Sequence, residues 1–289
     1  MITEVSPANS EAAAERARLP FIRINASASS VLPQLTDAWR HRELLYFLIW
    51  RDLTLRYRQT LLGVTWVVLQ PILMTAVFTI FFSRLGHFQS DGIPYPLFAY
   101  AGLVSWTFFA NSVSAGSASL LANTSIITKV YFPRMLVPIA TVGVRLVDLL
   151  VASIVLIGLM RFYDVPVHAS VILVPIFISE SALLAVAVGS GLAVLNLRYR
   201  DIGTLLPVLI QVWMFASPII YQTSIVPGRW RLLYSLNPLV GIVDGFRAAL
   251  CGLPIDWRGV FIASIVMIVL LAYVARIFHR WHERLVEQL

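Results

Sequence analysis

From residue 61 onward the chain alternates long apolar runs with short polar breaks. A helix needs about 20 mostly apolar residues to cross a bilayer. Six runs reach that length, at 61–83, 97–122, 136–160, 170–195, 202–221 and 260–278. The pattern predicts an all-α integral membrane protein with six transmembrane helices. The segment between runs five and six is half apolar but interrupted by Pro227, Pro238, Pro254 and several glycines. It is too broken to span and too apolar for a solvated loop. Short re-entrant or outer helices satisfy its backbone best.

Ahead of the first run lies a segment of different character. Read as a helix, it places Tyr46, Trp50, Leu53 and Tyr57 on one face at i, i+4, i+7 and i+11. Arg51 and Arg58 share another face, and Asp52 and Arg56 are spaced for an i,i+4 ion pair. Such a helix lies in the membrane interface, aromatics at headgroup depth and arginines toward phosphates or cytosolic partners. Gly63 then turns the chain into the bilayer. The organisation expected is a flexible cytosolic extension at 1–36, an amphipathic interfacial helix at 37–60, a transmembrane domain at 61–280 and a cytosolic tail at 281–289. The first 30 residues lack a long apolar core and do not read as a secretory signal peptide.

Composition agrees. Hydrophobic residues make up 58% of the chain and charged residues 13%, about half the share typical of soluble domains. The net charge of +7 would suggest nucleic acid in a soluble protein. Here the bases gather at the ends of apolar runs, so they report topology instead. Eight precede run one: Arg16, Arg18, Arg23, Arg40, Arg42, Arg51, Arg56 and Arg58. The same side takes Lys129 and Arg134, Arg198 and Arg200, and Arg276, Arg280 and Arg284. The opposite side has Arg84, Arg161, Arg229, Arg231, Arg247 and Arg258, four of them in the long broken segment. Both termini are therefore expected in the cytosol, with the broken segment outside.

Several chemistries are excluded. The phosphate-cradling Gly-Lys pair of a Walker A loop is missing, because the only lysine, Lys129, follows Thr128. The five histidines are scattered and the single cysteine, Cys251, permits no internal disulfide, so no metal site is expected. No nucleophile elbow or paired acidic motif supports an enzyme.

Charges inside a membrane helix are functional candidates by default. Arg145 and Asp148 fall at i,i+3 in run three, and Glu180 lies in run four. They read either as an ion pathway or as a self-neutralised pair packed in the bundle, with the second favoured. Ala185, Gly189 and Ala193, like Gly241 and Gly245, mark close helix packing. Phe78, Phe81 and Phe82 in run one and Trp213, Phe215 and Tyr221 in run five are aromatic bulk or the walls of a pore for sugar rings. Periodicity does not separate these two.

Four stretches carry a family resemblance: "RDLTLRYRQTLLGVTWVVLQPIL", "NTSIITKVYFPRMLVP", "LNLRYRDIGTLLPVLIQVWMFASPIIY" and "LNPLVGIVDGFRAALCG". In this order, from about residue 40 to the C-terminus, the chain resembles permease subunits of type-2 ABC transporters that export bacterial polysaccharides such as O-antigen, capsule and teichoic acid. The resemblance implies a subunit of the bacterial cytoplasmic membrane with no cofactor of its own. A separate ABC ATPase, in two copies, supplies ATP and Mg, and two permease chains form the channel. It implies that Lys129, Tyr131, Phe132, Pro133 and Arg134 meet the ATPase, with Arg198, Arg200 and Asp201 on the same side. It implies a lipid-linked polysaccharide whose pyrophosphate is attracted by Arg51, Arg56 and Arg58, and a channel walled by the aromatics of runs one and five. Membrane lipids are further partners, and nucleic acid is not. A type-2 exporter of a drug or small lipid would share the topology. A membrane-embedded transferase lacks clustered catalytic residues here, and a secondary carrier would be expected to show a repeat.

Overall fold

The computed structural model describes residues 41–58, 63, 65–85, 90, 92–129, 132–199 and 201–287. The first described helix is α1, Arg42–Arg58. Helix α2, Thr65–Phe78, continues as π-helical turns over Thr79–Leu85. Then follow α3, Tyr95–Ala122, a one-turn helix α4, Thr124–Ile127, and α5, Leu136–Phe162. A 3₁₀ turn, Ala169–Leu173, leads into α6, Val174–Arg198. Helix α7 is Asp201–Phe215. Two short helices, α8 at Gly228–Ser235 and α9 at Pro238–Cys251, precede α10, Trp257–Glu287. Among the described residues there is no strand.

Among the described residues, four helical stretches are long and apolar enough to cross a membrane: Thr65–Ser83, Leu136–Phe162, Ala169–Arg198 and Trp257–Phe278. The second expected span falls on helix α3, whose many Ser, Gly and Ala residues keep it less apolar than these four. That composition suits its place. α3 is the axis of the bundle, packed by α5, α6, α2, α7 and α9, and buried along most of its length. With no hydrophobic drive between helices in lipid, small residues allow the close approach that dispersion needs. A Cβ added to Gly116 would come within 3.2 Å of the Gly189 Cα, so α3 and α6 meet backbone to backbone. The Ala185, Gly189 and Ala193 stripe on α6 is buried there.

The fifth expected span differs from the sequence reading. It was expected to run to residue 221, but helix α7 stops at Phe215. The next residues form an arch whose carbonyls are taken by side chains. The Tyr221 hydroxyl donates to Phe215 O (2.9 Å) and Asn237 Nδ2 to Ala216 O (3.0 Å). Arg247 Nη2 donates to Pro218 O (2.9 Å), and the Tyr95 hydroxyl to Ile220 O (2.9 Å). Pro218 lacks an N–H for a continuing helix, and these donors replace the lost ladder.

The broken segment folds as the sequence suggests, into short helices. Asn237 caps α9 by accepting from the Leu239 N–H (3.2 Å), Pro238 occupies the first turn, and Gly252 closes the end at φ +70°. Gly241 lets α9 touch α10, since an added Cβ would meet the Gly259 carbonyl.

Candidate functional site

The aromatic-basic helix α1 does not stand apart from the bundle. Leu48 is buried with Leu120, Phe132, Leu136, Val137, Ala140, Ala193 and Val194, and Leu44, Leu45 and Ile49 pack against them. Ile49 sits over Gly143, while Arg56 and Tyr57 reach Asp148. Rising numbers on α1 meet rising numbers on α5, so the two helices run parallel along their length. The buried stripe is Leu44, Leu45, Leu48 and Ile49; Tyr46, Phe47 and Trp50 stay exposed on the far side. Tyr46 and Trp50 stack with ring centres 6.4 Å apart.

The charges of α1 are used across helices. Arg56 Nη1 lies 2.7 Å from Asp148 Oδ2, and Arg145 Nη1 is 3.3 Å from the same oxygen. The Tyr57 hydroxyl donates to Asp148 Oδ1. Burial first, and then Asp148 itself, push the Tyr57 phenol up to about 12, so it remains a proton donor. The Arg145–Asp148 pair read from sequence is therefore real, and two residues of α1 complete it. The expected Asp52–Arg56 pair does not form: Asp52 binds Arg51 (2.7 Å), its sequence neighbour, because Arg56 faces α5. Arg51 also donates to Asn123 Oδ1 (2.7 Å), where α3 ends. Arg58 is exposed.

Beside this cluster is a cavity of about 80 Å³ between α2, α3 and α5, lined by Arg56, Gln70, Thr107, Asn111, Arg145 and Asp148 among others. Sequence reading missed it. A usable signal was present in the Thr107 and Asn111 pair, i,i+4 polar residues on one face of an otherwise apolar helix.

The loop after α3 is partly core. Phe132 is only 5% exposed and joins the α1–α5–α6 cluster. Lys129 is exposed, Pro133 and Arg134 are half-buried, and Tyr131 lies outside the described residues. Arg198 is exposed and stacks over Tyr199 at 5.3 Å. Asp201 is exposed and opens α7; Arg200 lies outside the described residues.

The six aromatics divide. Phe78 and Phe82 meet edge to face (5.8 Å) and pack on the core. Trp213 stands edge-on to Phe109 (5.2 Å) and donates to Asn237 Oδ1 (3.0 Å), while Tyr221 belongs to the arch. Only Phe81 and Phe215, 59% and 54% exposed, face outward. Glu180 Oε1 accepts from the Ser264 hydroxyl (2.5 Å), tying α6 to α10, away from Asp148. No group of three or more metal-binding side chains occurs among the described residues.

Apolar helices around a small-residue axis, with a charged helix clamped along one of them, make this a polytopic helical membrane protein. The chain belongs to the ABC-2 type transporter family, whose model matches residues 43–251. It is 28% identical over 215 residues to the O-antigen export system permease protein RfbA of Myxococcus xanthus, covering 73% of this chain and 82% of that one. It is 25% identical over 246 residues to the RfbA permease of Klebsiella pneumoniae, covering 85% and 94%. The polysialic acid transport protein KpsM of Escherichia coli is 23% identical over 209 residues, covering 69% and 78%.

Proposed function

We propose that the chain is the transmembrane subunit of an ATP-driven exporter that moves a lipid-linked polysaccharide across the bacterial cytoplasmic membrane. The carrying observation is the alignment over 94% of the length of a permease named for O-antigen export. In this proposal α2, α3, α5, α6, α7 with its arch, and α10 are six spans, both termini are cytosolic, and α8 and α9 lie at the outer side. The excess of bases on the α1 side supports that orientation. Two copies form the channel, and the exposed faces of α2 and α7, with Phe81 and Phe215, supply its walls.

A separate ATPase supplies the energy, since the chain has no Walker A loop. Lys129, Arg134, Arg198 and Asp201 are its contacts, with Tyr131 and Arg200 beside them. Phe132 and Leu48 join the loop, α1 and α5 in one packed unit, so a push on the loop is carried into the helices as a rigid displacement. Arg51, Arg56 and Arg58 draw the lipid pyrophosphate to this side.

The test is purification of tagged chain from its native membranes in mild detergent, with mass spectrometry of what accompanies it. An ABC-type ATPase in equal amount, lost with Lys129→Ala plus Arg134→Ala at unchanged permease yield, supports the proposal. A chain that emerges alone at every detergent and salt refutes it.

A further inference from the structure

A polar cavity opening on the side of a membrane bundle draws polar partners, because bare polar groups cost several kcal/mol each in hydrocarbon. The cavity between α2, α3 and α5 presents Gln70, Thr107 and Asn111 beside Arg145, Arg56 and Asp148. Among the described residues, the side chains of Gln70, Thr107 and Asn111 have no hydrogen-bond partner in the protein. Arg145 spends one guanidinium nitrogen on Asp148, at 3.3 Å, and no other contact of its guanidinium is found among the described residues. The wall is therefore rich in donors and carries two guanidiniums against one carboxylate.

The volume is about 80 Å³, room for several waters. Trp66, an exposed residue at the start of α2, also lines the cavity and so puts it within reach of a lipid. Asp148 already shows what the site favours, since its carboxylate draws both guanidiniums and the Tyr57 hydroxyl.

We infer that this cavity binds the phosphate group of a lipid, with Asp148 as the internal anion that the phosphate displaces from Arg145. Gln70, Thr107 and Asn111 donate to the remaining phosphate oxygens. Two lipids carry the required chemistry: a polyprenyl diphosphate, which rests on the lipid-linked substrate proposed above, and an ordinary membrane phospholipid, which does not.

The experiment is native mass spectrometry of the purified full chain, titrated separately with farnesyl diphosphate and with phosphatidylglycerol. Arg145→Gln and Asn111→Ala are each expected to weaken binding about tenfold, the worth of one hydrogen bond to a charged group. Asp148→Asn is expected to tighten it by removing the competitor. Arg231→Gln, on the outer helix α8, serves as the control. Saturable binding of the diphosphate supports the site and the export substrate together. Binding of phosphatidylglycerol alone supports the site and assigns it to bulk phospholipid, leaving the export function to the ATPase purification. Binding of neither lipid, or equal binding by Arg145→Gln and Arg231→Gln, overturns the inference and leaves a cavity that holds water. Asn111 has no partner to lose among the described residues, so Asn111→Ala reports even where Asp148→Asn fails to fold.

Discussion

The guanidinium carbon of Arg247 stands 3.6 Å from the centre of the Phe98 ring. Arg247 is 2% exposed, the largest fully buried side chain among the described residues. Its nitrogens reach Asp244 Oδ1 (3.2 Å), Pro218 O (2.9 Å) and Ile219 O (3.3 Å). Asp244 in turn accepts from the Thr223 hydroxyl. Gly102 makes the room: a Cβ there would lie 2.6 Å from Arg247 Nη2 and 2.7 Å from Ile219 O. One arginine thus ties α3, α9 and the arch after α7 into a single body.

Arg247→Met should loosen that body. Two backbone carbonyls, of Pro218 and Ile219, lose a charged donor, at a cost of about 1–3 kcal/mol. The expected result is a lower unfolding temperature in detergent and faster amide exchange at 216–222, with little change in α5. Gly102→Ala should reproduce the local effect from the opposite side by crowding the guanidinium.

The Asp148 cluster predicts coupling between α1 and α5. Arg56→Ala and Asp148→Asn share one interaction, so their effects on thermal stability should fall short of additive by about 0.5–3 kcal/mol. Arg58→Ala, on the exposed side, should add independently to Asp148→Asn. Additivity of Arg56→Ala with Asp148→Asn would show that α1 is held by its leucine stripe alone.

Tyr57 predicts a pH dependence. Its phenol is raised from 10 to about 12 in the folded chain. Below pH 10 both folded and unfolded chains keep the proton, and the stabilisation is complete. Between 10 and 12 the unfolded chain loses its proton first, so stability falls with rising pH. Tyr57→Phe should remove that slope, as read from unfolding temperatures across the range. The missing component should appear in the difference titration of phenolate absorbance.

Phe132 and Arg134 sit two residues apart and should behave oppositely. Phe132→Ala empties a core position shared by α1, α5 and α6 and should cost about 3–5 kcal/mol. Arg134→Ala should change stability by less than about 0.5 kcal/mol, as half-exposed substitutions do. Only the second is a clean probe of partner binding, measured by recovery of an ATPase at equal permease yield.

Much of the architecture was legible in one dimension. Apolar runs of span length and the small-residue stripes are local patterns, and helices in lipid obey them because every backbone polar group must be satisfied within the segment. The Asn237-Pro238 start and Gly252 end of α9 are local signals too, since capping is a matter of neighbours in sequence, but by sequence Pro238 reads only as an interruption. The Arg145–Asp148 pair was readable too, being one turn apart on a helix.

The candidate site was less legible because its partners are remote. Tyr57 lies 91 positions from Asp148, and Arg247 lies 28 from Ile219. Aromatics at Phe78, Phe82 and Trp213 share composition with Phe81 and Phe215, so only packing separates core from exposed face. The end of α7 at Phe215 depended on donors from Tyr95, Asn237 and Arg247 that stand ready to take carbonyls released by a helix. Sequence by itself thus determined which segments are helical and apolar, because those choices rest on backbone satisfaction within a few turns. Tertiary structure alone decided which charges meet, where a span stops and where a polar cavity remains, because these depend on side chains that only the packed bundle brings within hydrogen-bond reach.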